Sequence, residues 1–174
     1  MKIKVLGSSL VFLFLCILWL LCRTDTREYT CLELTESGTG RRIYGAVLQD
    51  GEEVLLTWKN SLYKLDVIEV FQARRGLLIL DQVTFANPQG YPPPVVKPAE
   101  LEDYYHTGGP FSVRGLAKPF TRVIHRVGEI GNPRFKIRNR WVTLKEEVGF
   151  GGGVVLTTTR AGFFGTVFAV LYGS

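Results

Sequence analysis

The chain has 174 residues, 46% apolar, 12% aromatic and 21% charged, with a formal net charge of +5. This fits one small domain with an anchor or tail and excludes a large multidomain enzyme; the aromatic content suffices for a core and argues against disorder. Nineteen Gly and eight Pro favour short elements joined by turns over long helices.

Residues 5–22 carry no charge, behind Lys2 and Lys4. Eighteen residues in a helix rise about 27 Å, close to the thickness of a bilayer core. Trp19-Leu20-Leu21-Cys22 offers none of the small residues that a cleavage site needs. Residues 1–22 are therefore predicted to be an uncleaved transmembrane anchor. Lys2 and Lys4 on one flank balance Arg23 and Arg27 on the other, so loop charge orients the segment only weakly. The expected arrangement is a single pass through the cell membrane, with the soluble part outside the cytoplasm. Cys16 and Cys22 fall in the anchor, leaving Cys31 as the single thiol beyond it. That excludes a disulfide within the soluble part and a metal site built of cysteines. Cys31 reads as a small buried hydrophobe or, in an oxidising compartment, an interchain partner.

The soluble part, residues 23–160, reads as a run of strands. Tyr29 to Leu34 is the first, followed by a turn at Gly38-Thr39-Gly40. Arg42 to Leu48 and Glu53 to Trp58 are predicted partners across Gln49-Asp50-Gly51. Lys59 to Leu65 is a loop. Val67 to Ala73 and Leu77 to Phe85 form a hairpin across Arg74-Arg75-Gly76, with Gly76 where a positive φ is needed. Seven of the eight prolines lie between Ala86 and Pro119, and Tyr91-Pro92-Pro93-Pro94 is extended. Tyr104 to Phe111 is expected as a turn-rich aromatic loop, either functional or a packed crossover. Strands resume at Arg122 to Val127, at Phe135 to Ile137 with Trp141 to Leu144, and at Val154 to Thr158. With eight or nine short strands and no amphipathic soluble helix, the expected class is all-β: a small sandwich or barrel of about eight antiparallel strands behind an N-terminal transmembrane helix. Residues 161–174 form an apolar tail, read as a final strand, a membrane contact or a partner surface.

Charge is polarised along the chain. Residues 28–103 carry 12 acidic and 7 basic side chains; residues 112–147 carry 3 and 9. Arg134, Lys136 and Arg138 alternate with Phe135 and Ile137, as on the solvated face of a sheet; anionic lipid headgroups or an acidic partner are the functional alternative. Nucleic acid is not an expected partner for a domain outside the cytoplasm.

Enzymatic motifs are sparse. There is no Gly-x-Ser-x-Gly, phosphate loop or zinc-protease pattern, and the glycines from Gly149 to Gly153 precede no helix start. His125, between Ile124 and Arg126, reads as structural; His106, in the aromatic loop, is a candidate ligand contact. Neither a cofactor nor a metal site is predicted, and the chain is read as non-enzymatic. One segment carries the functional expectation. Period-2 alternation points Val67, Glu69 and Phe71 the same way, placing a carboxylate among apolar neighbours. Such a group must be hydrogen-bonded, paired or protonated. Asn60 and Ser61 are the expected donors, and Lys59 or Lys64 the expected counter-charges. This network either locks the loop to the sheet or forms a polar pocket for a ligand or partner. Asn60, Ser61, Asp66 and Glu69, with Tyr104, Tyr105 and His106, are the candidate binding residues.

The same segments resemble a known family. Lys59-Asn60-Ser61-Leu62, Asp66-Val67-Ile68-Glu69-Val70, Gly76-Leu77-Leu78-Ile79-Leu80 and Arg126 to Asn132 are similar to the family termed domain of unknown function 1850, over about residues 43–158. That family carries a histidine where Asn60 stands; Ser61, Leu62 and Glu69 fit its pattern. The exchange removes a titratable group and keeps a hydrogen-bonding one. Members are small membrane-anchored proteins, often encoded beside permeases of tripartite transporters that use TAXI-type solute receptors. The resemblance implies an accessory role in solute uptake, through contact with a multi-span permease or its solute-binding protein.

Overall fold

Strands whose residues alternate between apolar and polar bury one face each, and two such faces close a core. The computed structural model describes residues 29–162. The expected anchor, and residues 163–174 of the expected tail, lie outside the described residues; Ala161, at the start of that tail, is the last residue of a strand. In chain order the strands are β1 (Tyr29–Glu36), β2 (Arg42–Gln49), β3 (Glu53–Lys59), β4 (Asp66–Arg74), β5 (Leu77–Phe85) and β6 (Val95–Val96). A 3₁₀ turn (Pro98–Glu100) and helix α1 (Leu101–Thr107) follow. Then come β7 (Phe111–Phe120), β8 (Arg122–Arg126), β9 (Arg134–Ile137), β10 (Arg140–Thr143), helix α2 (Leu144–Val148) and β11 (Gly153–Ala161).

The described strands form two open sheets, ordered β2-β1-β11-β8 and β10-β9-β3-β4-β5-β7-β6. All pairings are antiparallel except β6 with β7. The all-β expectation holds, with eleven strands instead of eight or nine, one parallel pair, and open sheets in place of the barrel alternative. Leu32, Leu34 and Leu48 from the smaller sheet meet Val54, Leu56 and Phe71 from the larger in one buried cluster. A second cluster, centred on Val67, Phe85, Phe111 and Val113, lies further along the larger sheet.

Three local expectations are corrected. First, β2 and β3 are not partners: they join different sheets. The turn between them docks on β4, where the Gly51 N–H donates to the Ala73 carbonyl and the Ala73 N–H to the Glu52 carbonyl, both at 2.8 Å. Leu48 and Val54, fully buried on either side of this turn, line opposite walls of the core. The connection is an arch that carries the chain from one sheet to the other. Arg138, in the β9–β10 turn, secures it, donating to Glu52 Oε1 at 2.9 Å and to the Val47 carbonyl at 2.6 Å. That bond holds the Glu52 carboxyl below its ordinary range.

Second, the proline-rich stretch is not one long loop. It holds β6, the 3₁₀ turn, α1 and β7, and α2 follows further along, so short helices are present where none was expected. Proline at the start of the 3₁₀ turn presets its φ. Third, Tyr104 to Phe111 is the end of α1 and the start of β7, with Gly108 in left-handed conformation closing the helix.

The other two predicted hairpins, β4–β5 and β9–β10, are present. The β4–β5 hairpin turns at Arg75 and Gly76, both with positive φ. Phe135 and Ile137 are buried while Arg134 and Arg138 face outward. Arg134 and Lys136 lie over the exposed Trp141 ring, at 5.1 and 5.8 Å from its centroid. Cys31 is half-buried, which pushes its thiol pKa up. His125 stands edge-on to Phe135 at 5.8 Å, and burial pulls its pKa down, in keeping with a structural role.

Candidate ligand cleft

The inner face of the larger sheet is covered in two patches. The smaller sheet covers the Phe71 and Leu80 end, and the segment from the 3₁₀ turn through α1 covers the Phe85 and Phe111 end. Trp58, Val83 and Leu116 pack against both clusters. Between the covers lies a cleft of about 620 Å³, with Glu69, Trp58 and Val83 among the residues that line it.

Glu69 is there because β4 alternates without interruption. Val67 and Phe71 are buried on the inner face, and Glu69 stands between them, opposite Leu56 on β3 and Val83 on β5. The bulge in the β4–β5 ladder leaves Asp81 of β5 unpaired and does not disturb β4. Trp58, opposite Val67, is the diagonal neighbour of Glu69 on the same face. Its indole Nε1–H donates to Glu69 Oε1 at 3.0 Å. Burial pushes the Glu69 carboxyl pKa up, and the indole hydrogen bond opposes that shift.

The opposite wall comes from α1 and the turn before it, through Pro98, Leu101, Tyr105 and His106. Aromatic contacts seat α1. Tyr105 meets Phe85 edge-on at 5.8 Å and Tyr63 at 6.5 Å, and Phe85 stacks on Phe111 at 4.7 Å. Tyr63 also donates from its hydroxyl to the His106 carbonyl at 3.4 Å, and its ring fills the space a side chain at Gly108 would take. A second bulge, opposite Asp81, lets β7 run through Gly115 and Ala117 with positive φ before pairing resumes. Lys118 then stands opposite the inward-facing Leu80 and reaches the cleft, although its side chain is largely exposed.

The predicted site residues therefore separate. Glu69, Tyr105 and His106, from segments thirty-odd residues apart, meet in the cleft. Asn60, Ser61, Asp66 and Tyr104 are not in its lining. Neither Asn60 nor Ser61 bonds to Glu69, and neither Lys59 nor Lys64 is its counter-charge. Asn60 is buried and turns its Oδ1 onto its own loop, accepting from the Leu62 and Tyr63 N–H groups at 2.9 Å each. A short polar side chain two to three residues before unpaired N–H groups satisfies them locally, which here wins over reaching across the sheet. Lys59 pairs with Asp66 at 2.7 Å on the surface, and Ser61 is exposed. Tyr104 lies 6.1 Å from Phe111, tilted against it. Asn60 acts on the cleft at one remove, by fixing the loop from which Tyr63 buttresses α1.

Trp58, Val83, Glu102 and Lys118 also line the cleft and are not among the residues predicted from the sequence. Trp58 left a readable sign: an indole on an inward strand position needs an acceptor, and Glu69 is the one inward carboxylate on the neighbouring strand. Lys118 left none, because its inward placement depends on the β7 bulge.

Among the described residues no group of three or more His, Cys, Asp or Glu side chains is placed to hold a metal ion. None of their helices is long and apolar enough to cross a membrane. No family model, curated protein or solved structure matches the chain.

Proposed function

We propose that this domain is a binding module that takes a small ligand in the cleft between Glu69 and α1. The observation that carries the reading is the half-buried Glu69 carboxyl, held by Trp58 at 3.0 Å and facing a cavity walled by Tyr105 and His106. Apolar walls with a few placed polar groups are the usual make-up of a small-molecule site. The N-terminal segment would hold the module at the cell membrane, outside the cytoplasm. A ligand that binds only the folded state stabilises it. Thermal unfolding of the full-length chain against a small-molecule panel therefore tests the reading: a saturable rise in Tm that Tyr105→Ala removes supports it, and no rise with any compound contradicts it.

A second reading is contact with a transporter permease or its solute-binding protein, as the family resemblance implies. It is favoured by exposed apolar side chains on α1 and on the loop whose Tyr63 packs against it: Leu62 is 71% exposed, and Tyr104 and Tyr105 are also open to solvent. Crosslinking of the membrane-embedded chain separates the two readings. Recovery of a transporter component, weakened by Leu62→Ser, supports the contact; recovery of none with correctly inserted protein removes it.

A further inference from the structure

We infer that the ligand of this cleft is an organic ammonium: a protonated amine carried on an aromatic or aliphatic body. The inference rests on the reading of the cleft as a ligand site and names what the site takes.

The carboxylate comes first. Glu69 Oε1 accepts from Trp58. Oε2 has no hydrogen-bond partner among the described residues, and no lysine or arginine among them forms an ion pair with this group. A half-buried carboxylate without a counter-charge is costlier to keep ionised than one in water, and a cation brought into the cleft would offset that cost. Charges on the sheet do not supply it. Lys59 is taken up by Asp66 and Arg138 by Glu52. Lys118 reaches the cleft with its side chain largely exposed. Glu102, on α1, is exposed as Lys118 is, so these two opposite charges offset each other at the rim, and Glu69 is the partly buried charge of the lining.

The walls point to the same class. Trp58, Phe85 and Tyr105 line the space around Glu69. Aromatic rings attract ammonium groups through their negative faces and also accept an apolar body. A bare metal ion is the poorer match, since the described residues offer no cluster of three ligating side chains. An ammonium needs one carboxylate and a ring. The volume of about 620 Å³ admits a molecule well beyond an inorganic ion in size.

Three probes of like size and different headgroup charge test the inference: 2-phenylethylamine, 3-phenylpropanol and 3-phenylpropanoate. Each is titrated calorimetrically into the full-length chain in non-ionic detergent, and into its Glu69→Gln and Glu102→Gln variants. The expected result is that the amine binds about tenfold or more tighter than the alcohol or the acid. Glu69→Gln should erase that preference, while Glu102→Gln keeps it within about threefold, as for a charge near the rim. If the alcohol or the acid binds as tightly as the amine, the ammonium assignment fails and the cleft remains a ligand site. If no probe binds, both fail. Should Glu69→Gln not fold, the headgroup preference of the unaltered chain decides by itself.

Discussion

The Trp58 indole N–H donates to Glu69 Oε1 at 3.0 Å, across a diagonal of the β3–β4 ladder. The alternation of β4 puts this carboxyl on the inner face of the sheet, and the bond ties one of its oxygens to Trp58 at the edge of a cleft that Glu69 lines. Glu69 lies where neither the smaller sheet nor α1 covers the larger one, so the polar group coincides with the gap in the packing.

Stability should fall with rising pH because of Glu69. Its folded-state pKa is raised by burial, so the folded chain holds this proton more tightly than the unfolded chain, whose value is about 4.3. Below that value the full stabilisation linked to the proton is present. As pH rises from there through the folded pKa, stability is lost, and it stays lower above. Glu69→Gln keeps an acceptor for Trp58 and removes the titration. Urea unfolding from pH 4 to 8 should show the variant gaining on the parent as pH rises. A constant difference across the range would contradict this.

Asn60 should matter to stability first and to the cleft second. Asn60→Ala leaves the Leu62 and Tyr63 N–H groups without their acceptor and should cost about 1–2 kcal/mol in denaturant unfolding. Asn60→Asp keeps the oxygen and should cost under about 0.5 kcal/mol. Equal losses in the two variants would show that the acceptor is not what the position supplies.

Much of this was legible in the sequence. The alternation Val67, Glu69, Phe71 gave the inward carboxyl, and Gly76 the β4–β5 turn, because both depend on neighbours along one strand or hairpin. The failures share a different cause. Gln49-Asp50-Gly51 has the composition of a hairpin turn, yet Leu48 and Val54 are buried in opposite walls of the core and pull β2 and β3 into different sheets. Tyr104 to Thr107 turned out helical because Phe85, Tyr63 and Phe111 supply rings for it to pack on. Asn60 turns to the nearer donors of its own loop and not to Glu69. Each depends on packing between segments far apart in the chain, which a strand-by-strand reading does not contain.

The turn at Gly76 joins the two sheets. Its N–H donates to the buried Thr30 Oγ1 at 3.0 Å, its φ is +81°, and an added Cβ would overlap the Arg160 backbone. Gly76→Ala should therefore cost about 2–3 kcal/mol by strain and overlap together. Thr30→Val, which leaves that N–H unsatisfied, should cost about 1–3 kcal/mol. Chemical denaturation measures both. A loss under about 0.5 kcal/mol in Gly76→Ala would mean the turn shifts freely.

Thr158 offers the reverse. It is buried on β11, and its Oγ1 has no hydrogen-bond partner. Thr158→Val exchanges that hydroxyl for a methyl of similar shape and keeps the β-branching that suits a strand. The variant should be more stable by about 1 kcal/mol, seen as a higher denaturation midpoint with an unchanged slope. A lower midpoint would show that the hydroxyl has a role in the folded state.

The most direct test of the cleft as the ligand site is the indole region of the ¹⁵N–¹H spectrum of the full-length chain. Three tryptophans, Trp19, Trp58 and Trp141, give three indole N–H signals. Titration with 2-phenylethylamine should shift the Trp58 signal saturably, because its N–H is bonded to the carboxyl the amine would engage, and should leave Trp141 in place. A Trp58 signal that stays fixed at saturating amine would contradict the account.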